Sequence, residues 1–231
     1  MKDRKSILLR YLWFAIGVAI NSFGIVFITK SALGTSPISS VPYVLSLQFT
    51  AFSFGVTTFV LNILFVLGEI ILLRRDFKPV QFLQIAATFL FSALIDISMV
   101  LLDFLQPEII PARLISLLIG CMILAIGVSI EVAPAVIVVP GEGIVRAIAQ
   151  TTKVKFGTVK ICFDVALMVT AAVLSLLFFG RLNGIGAGTV IAAFAVGKFV
   201  NIVNKRLPLI EKIRALAAEP AEKAEDAPSA G

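Results

Sequence analysis

The sequence predicts an all-α transmembrane fold: about six spanning helices in two inverted three-helix repeats, each carrying a re-entrant or broken-helix segment. Three observations carry that reading. Of 231 residues, 59% are hydrophobic and the mean hydropathy is +1.04, well above the roughly 45–50% apolar content of soluble domains. Apolar runs recur at spanning length. The chain also repeats itself after about one hundred residues, with Gly, Pro and Asn/Asp in matching places.

A span needs about 20 mainly apolar residues, and six runs qualify: 9–29, 54–73, 82–102, 114–132, 156–179 and 184–203. The first is long enough to cross and no small-residue cleavage site follows it, so it is read as a retained helix. With Lys2, Arg4, Lys5 and Arg10 on the cytoplasmic side, the other inside segments receive Arg74, Arg75 and Lys78, then Arg146, Lys153, Lys155 and Lys160, then Lys205, Arg206, Lys212 and Arg214. The outside segments receive Lys30, Arg113 and Arg181. That asymmetry predicts that both termini are cytoplasmic. Counting VPYVLSLQF and GIVRAIAQ as further spans would give eight and put Arg74, Arg75 and Lys78 outside.

Residues 1–204 thus form one polytopic membrane domain, with repeat 1 at about 11–102 and repeat 2 at about 114–203. Residues 205–231 form a cytoplasmic tail: LPLIEKIRAL reads as a short amphipathic interfacial helix or a solvated linker. The Ala/Glu/Pro-rich stretch from Ala217 has almost nothing to bury and is expected to be disordered.

The repeat is specific. GVAINSFGIVF (17–27) falls on GCMILAIGVSI (120–130), matching both glycines, and Pro37 then falls on Pro140. FGVTTFVLN (54–62) falls on FGTVKICFD (156–164), and FSALIDI (91–97) on VGKFVNI (196–202). Three spans per repeat is an odd number, so the second repeat enters from the opposite side, as in many secondary transporters.

The breaks follow the first span of each repeat. SALGTSPISS (31–40) is richer in hydroxyls, Gly and Pro than a plain turn requires, and VVPGEGIVRAIAQ (138–150) occupies the same place in repeat 2. About six extended residues reach roughly 20 Å and a helix from Pro37 to Gln48 returns about 18 Å, against about 15 Å for half the hydrocarbon core. Both segments are therefore long enough to be re-entrant. Thr35 or Ser36 before Pro37 reads as an N-cap with proline in the first turn.

Ionisable groups within spans are expensive and mark candidate sites. Glu142 ranks first, between two glycines at the break. Asp96 and Asp164 follow, with Asn62 and Asn201 as their repeat partners, since Asn62 matches Asp164 and Asp96 matches Asn201. Ser36 and Ser39 complete the set. Against a site role, Lys160 and Asp164 are four apart and can simply pair, Asp96 and Lys198 can bridge the repeats, and Glu142 can serve only the helix dipole. Glu69 and Glu131 lie near span ends and are weaker candidates. In GIGAGTVIAAFAVGKF, Gly184, Gly188 and Ala192 are spaced for close helix packing.

ALGTSPISSVPYVLS with FSFG, then VPGEGIVRAIA, KFGTVKICFD and the Gly-rich last span, resembles the YitT/YczE-type group of bacterial membrane proteins. The resemblance implies a polytopic inner-membrane protein without an assigned enzyme activity.

Histidine is absent, and Cys121 and Cys162 lie in apolar runs, so no catalytic dyad, disulfide framework, metal site or cofactor is called for. The net charge of +6 lies in clusters beside spans, not in a nucleic-acid surface. The leading expectation is a small secondary transporter with a central site. The alternatives are a membrane substrate-binding subunit with an energising partner, for which this chain has no P-loop, and a non-transporting accessory protein. The partners expected are the lipid bilayer and a small molecule or ion; a homo-oligomer stays open.

Overall fold

A computed structural model describes residues 2–225. Nine helices and no strand make up these residues: α1 Lys2–Lys30, α2 Ser40–Gln48, α3 Phe54–Leu73, α4 Leu83–Leu101, α5 Ile110–Val132, α6 Pro140–Thr152, α7 Phe156–Phe179, α8 Ala187–Arg206 and α9 Pro208–Glu225. A short 3₁₀ turn, Pro37–Ser39, leads into α2. Six helices are long and apolar enough to cross a bilayer. Such segments become helices because hydrocarbon offers their backbone no other hydrogen-bond partner. At 9 and 13 residues, α2 and α6 are too short to span, which excludes the eight-span count. The last span begins at Ala187, so Gly184 lies in the connection before it, at φ +78.

Local chemistry sets the ends. Proline opens the Pro37 turn, α6 and α9, where its missing N–H costs nothing. The Ser53 hydroxyl accepts from Val56 N–H at the start of α3. Gly180, at φ +66, closes α7 in the left-handed conformation a Cβ disfavours. The tail departs from expectation: the backbone continues as α9 to Glu225, and Ile210 and Ile213 are fully buried near Trp13, Ile16 and Val203. That anchorage uses the apolar residues of LPLIEKIRAL, the segment read as an amphipathic helix; the departure is that the helix runs on past Ala217 to Glu225. The end of the expected disordered stretch, 226–231, lies outside the described residues.

The centre of the molecule is the α1–α5 crossing. A Cβ on Gly24 would stand 2.7 Å from Leu124 Cα, and one on Gly127 2.7 Å from Asn21 Cα. Gly17 meets Glu131 and Gly120 meets Ile28 in the same way. Numbers rising along α1 meet numbers falling along α5, so the helices are antiparallel. The contacts are also reciprocal: Gly17 and Gly24 are offset by 103 from Gly120 and Gly127, and so are Asn21 and Ile28 from Leu124 and Glu131. Small residues let the two backbones approach this closely.

The same offset relates the two breaks. Ala32 and Ala135 both have positive φ, 58 and 50. Ser36 and Val139 are both extended, and each precedes a helix-opening proline. One break leaves the α1–α5 pair beside Gly120, the other beside Gly17, at opposite ends. Yet a Cβ on Gly141 would strike Ile38 Cδ1. Each break must therefore run back toward the middle of the pair, where the starts of α2 and α6 meet. Leu33 O accepts from Gly188 N–H at 2.9 Å, Thr35 N–H donates to Thr189 Oγ1 at 3.2 Å, and Thr29 and Thr35 share a hydroxyl bond of 2.7 Å. These bonds satisfy non-helical backbone that lipid could not.

Candidate functional site

Where the two breaks meet, a cavity of about 380 Å³ opens. Its floor is Ser36 to Ser39 and Gly141–Glu142; its walls come from α1, α3, α5, α7 and α8, with Phe91 from α4. Of the residues singled out in the sequence, Glu142, Asp164, Asn62, Ser36 and Ser39 all line it. Ser36 Oγ donates to Ser39 Oγ at 2.9 Å, closing the turn in which the serine pair sits. Asn62 faces inward from the middle of α3 and is 7% exposed. The remaining lining is mainly aliphatic, including Ile25, Leu61, Leu124 and Val196.

The charges are unevenly partnered. Lys160 Nζ and Asp164 Oδ1 are 2.7 Å apart on one face of α7 and neutralise each other. Glu142, in the first turn of α6, belongs to neither of the two ion pairs found among the described residues. Lys160, Arg146 and Asp164 act on it only through space. Behind it, Glu131 is 2% exposed and accepts from Asn21 Nδ2 at 2.6 Å. The cavity wall thus carries one carboxylate with no direct counter-ion, a neutralised Lys–Asp pair, and amide and hydroxyl groups.

Two candidates fall elsewhere. Asp96 accepts from Gly55 N–H at 2.7 Å and from Ser53 Oγ at 2.6 Å, so it caps the start of α3 and does not line the cavity. Lys198 is exposed and forms no bridge to it. Asn201 is exposed on α8 and is likewise not among the lining residues. Sequence reasoning missed Asn21 and Thr58, both in the wall. Asn21 was findable as a polar residue inside the first span; its partner Glu131, 110 residues away, was not. Glu69 and Glu131, placed near water by their position in the sequence, are 0% and 2% exposed. No three His, Cys, Asp or Glu side chains converge as a metal site among the described residues.

The two halves differ at one contact. On the first side, α3 packs on α4 and a Cβ at Gly55 would lie 2.6 Å from Asp96 Cγ. On the second, α7 and α8 do not pack along their lengths. The equivalent Gly157 has nothing within 4 Å, nor has Gly197, the counterpart of Ser92. Phe156, Lys160 and Asp164 on α7 and Gly197 and Val200 on α8 border the cavity on this parted side.

No curated protein and no solved structure matches the chain. One family model does, over residues 8–205, which takes in all six long apolar helices but the first three residues of the first and the last residue of the final one. The chain belongs to this family of unknown function, DUF6198.

Proposed function

We propose that the protein is a secondary transporter, not an enzyme, built from two inverted repeats that meet at the central cavity and expose it to each side of the membrane in turn. The observation that carries the reading is the unequal pair of contacts: closed at α3–α4 and parted at α7–α8 around one cavity. Two equivalent contacts in different states are what rocking repeats would display at one end of their cycle. The reciprocal α1–α5 crossing, and the two breaks meeting at Ile38 and Gly141, support the inverted relation. With the termini cytoplasmic, as the distribution of Lys and Arg favours, the parted side faces the cytoplasm of a bacterial inner membrane. Kinship with the YitT/YczE-type group is part of the same proposal.

The cavity fits a small, largely apolar solute with one positive or hydrogen-bond-donating group. Its volume is at the low end of ligand sites, its lining is mostly aliphatic, and Glu142 is the acid without a direct counter-ion. Purified protein screened by thermal shift against metabolites and ions, with hits retested for uptake in liposomes, tests the reading. Uptake by wild type alone, without an ATPase, supports a secondary transporter. Glu142→Gln keeps size and hydrogen bonding, so it should cost at most about 1 kcal/mol in stability if Glu142 only complements a helix dipole. The proposal expects it to lower uptake at least about tenfold, the loss of one good polar contact. Wild-type uptake and wild-type pH dependence in Glu142→Gln would remove Glu142 from the site; absence of any uptake with bound hits would favour an accessory role.

A further inference from the structure

We propose that Glu69 is a proton-loading site, distinct from the substrate cavity and enclosed by α3, α4 and α6. Glu69 is fully buried on α3. Its Oε2 accepts from Gln84 Nε2 at 3.0 Å and from Gln81 Nε2 at 3.5 Å, the limit for such a bond. Its Oε1 has no partner. Neither have Gln84 Oε1, on the amide already bound to Glu69, and Thr88 Oγ1, one turn further along the same face of α4. From α6, Gly143 closes the space: a Cβ there would stand 2.7 Å from Glu69 Cδ.

An ionised carboxylate in such a place needs a cation, because burial removes its water. The ion pairs among the described residues are Lys30–Asp103 and Lys160–Asp164. The charged groups on the packed elements are Glu142 and Arg146 on α6, Asp96 at the far end of α4, and Arg74, Arg75, Asp76 and Lys78 in the connection from α3 to α4. None pairs with Glu69. A proton resolves the arrangement: it neutralises the buried acid and removes the need for a counter-ion at the unpartnered Oε1. A second cavity of about 320 Å³, lined by Gln81, Gln84, Val132 and Arg146 among others, reaches both glutamines and gives a proton a route to the acid.

Packing does not demand an acid here. At the equivalent place in the other half, Ala171 stands for Glu69 and Ser40 for Gly143. Ala171 and Ser40 are both fully buried, and Ser40 Oγ reaches Leu167 O on the same helix at 3.4 Å. One half fills the contact with Ser and Ala, the other with Gly and Glu, so the carboxyl is an addition to a joint that closes without it.

That the proton drives transport rests on the permease reading; that Glu69 binds one does not. The test is infrared difference spectroscopy of the purified protein in membranes, following the carbonyl stretch of a protonated carboxyl. It needs no substrate, so it can fail while uptake succeeds, or the reverse. Wild type should show a component of that band, absent from Glu69→Gln, that is lost as pH rises between about 6 and about 10; the other buried acid, Glu131, contributes to both spectra alike. The double variant Glu69→Ala/Gly143→Ser copies the packing of the other half, so it should fold and also lack that component, keeping the test sound should Glu69→Gln fold poorly. Variant spectra identical to wild type, or a Glu69-dependent component that does not titrate in that range, overturn the proposal. Loss of that component on adding sodium at fixed pH also overturns it, since Glu69 would then be a sodium site.

Discussion

Replacing Gly127 with alanine places a Cβ 2.7 Å from Asn21 Cα and 2.8 Å from the Ile20 carbonyl carbon. Carbon contacts are comfortable from about 3.5 Å, and both neighbours are backbone. The helices α1 and α5 must therefore part by roughly 0.8 Å, the difference between those distances. Overpacking of this kind costs about 1–3 kcal/mol, offset by up to about 1 kcal/mol for removing a helical glycine. Gly24→Ala meets Leu124 Cα at the same 2.7 Å, so it should cost about 1–2 kcal/mol. Gly127→Ala should cost about 1 kcal/mol more, because it displaces Asn21 and stretches its bond to Glu131. Gly157→Ala and Gly197→Ala, with nothing within 4 Å, should be neutral or slightly stabilising. Reversible unfolding in mixed micelles measures all four. Neutral behaviour at Gly24 and Gly127, or damage at Gly157 equal to theirs, would refute the reciprocal crossing.

Other outcomes follow from single contacts. Asp96→Ala removes two hydrogen bonds from the start of α3 and should cost about 1–2 kcal/mol in the same assay, whereas Asn201→Ala should be silent. Outside the spans, the Lys30 ammonium bonds Asp103 at 2.8 Å and holds its carboxyl below the ordinary carboxylate range. A depressed acid contributes stability above its unfolded value of about 3.9 and loses it as pH falls through the folded one. Lys30→Gln should therefore lower wild-type stability slightly at neutral pH and not at all in strong acid. An unchanged difference across that range would rule out the pair.

The spans were legible because hydrocarbon imposes one requirement, length without charge, and the apolar runs at 54–73 and 156–179 meet it almost to the residue. The breaks were legible for the opposite reason, since hydroxyls, Gly and Pro gather where backbone must be satisfied without a helix. Five of the seven candidate residues converge because they lie on the two breaks or on α3 and α7 beside them. Place along the chain is not direction, however. Asp96 turns to the α3 terminus and Asn201 to the surface, and neither orientation is encoded locally. Glu69 was misjudged because its place near the end of its span suggested water, whereas Gln81 and Gln84 fold back over it. In the tail, the amphipathic pattern of LPLIEKIRAL was legible and its Ile210 and Ile213 find apolar partners on α1, α5 and α8; the helix's continuation past Ala217 was not, because that stretch has little to bury by composition.

Paired disulfides test the central claim most directly. With exposed Cys162 replaced and buried Cys121 retained, Ser53→Cys/Asp96→Cys spans the closed contact, where the native side chains are 2.6 Å apart. Lys155→Cys/Asn201→Cys spans its counterpart on the parted side. Alternation predicts that the first pair links readily, that the second links only as the protein cycles, and that molecules locked by the first never form the second. Both disulfides formed together in one molecule would contradict it.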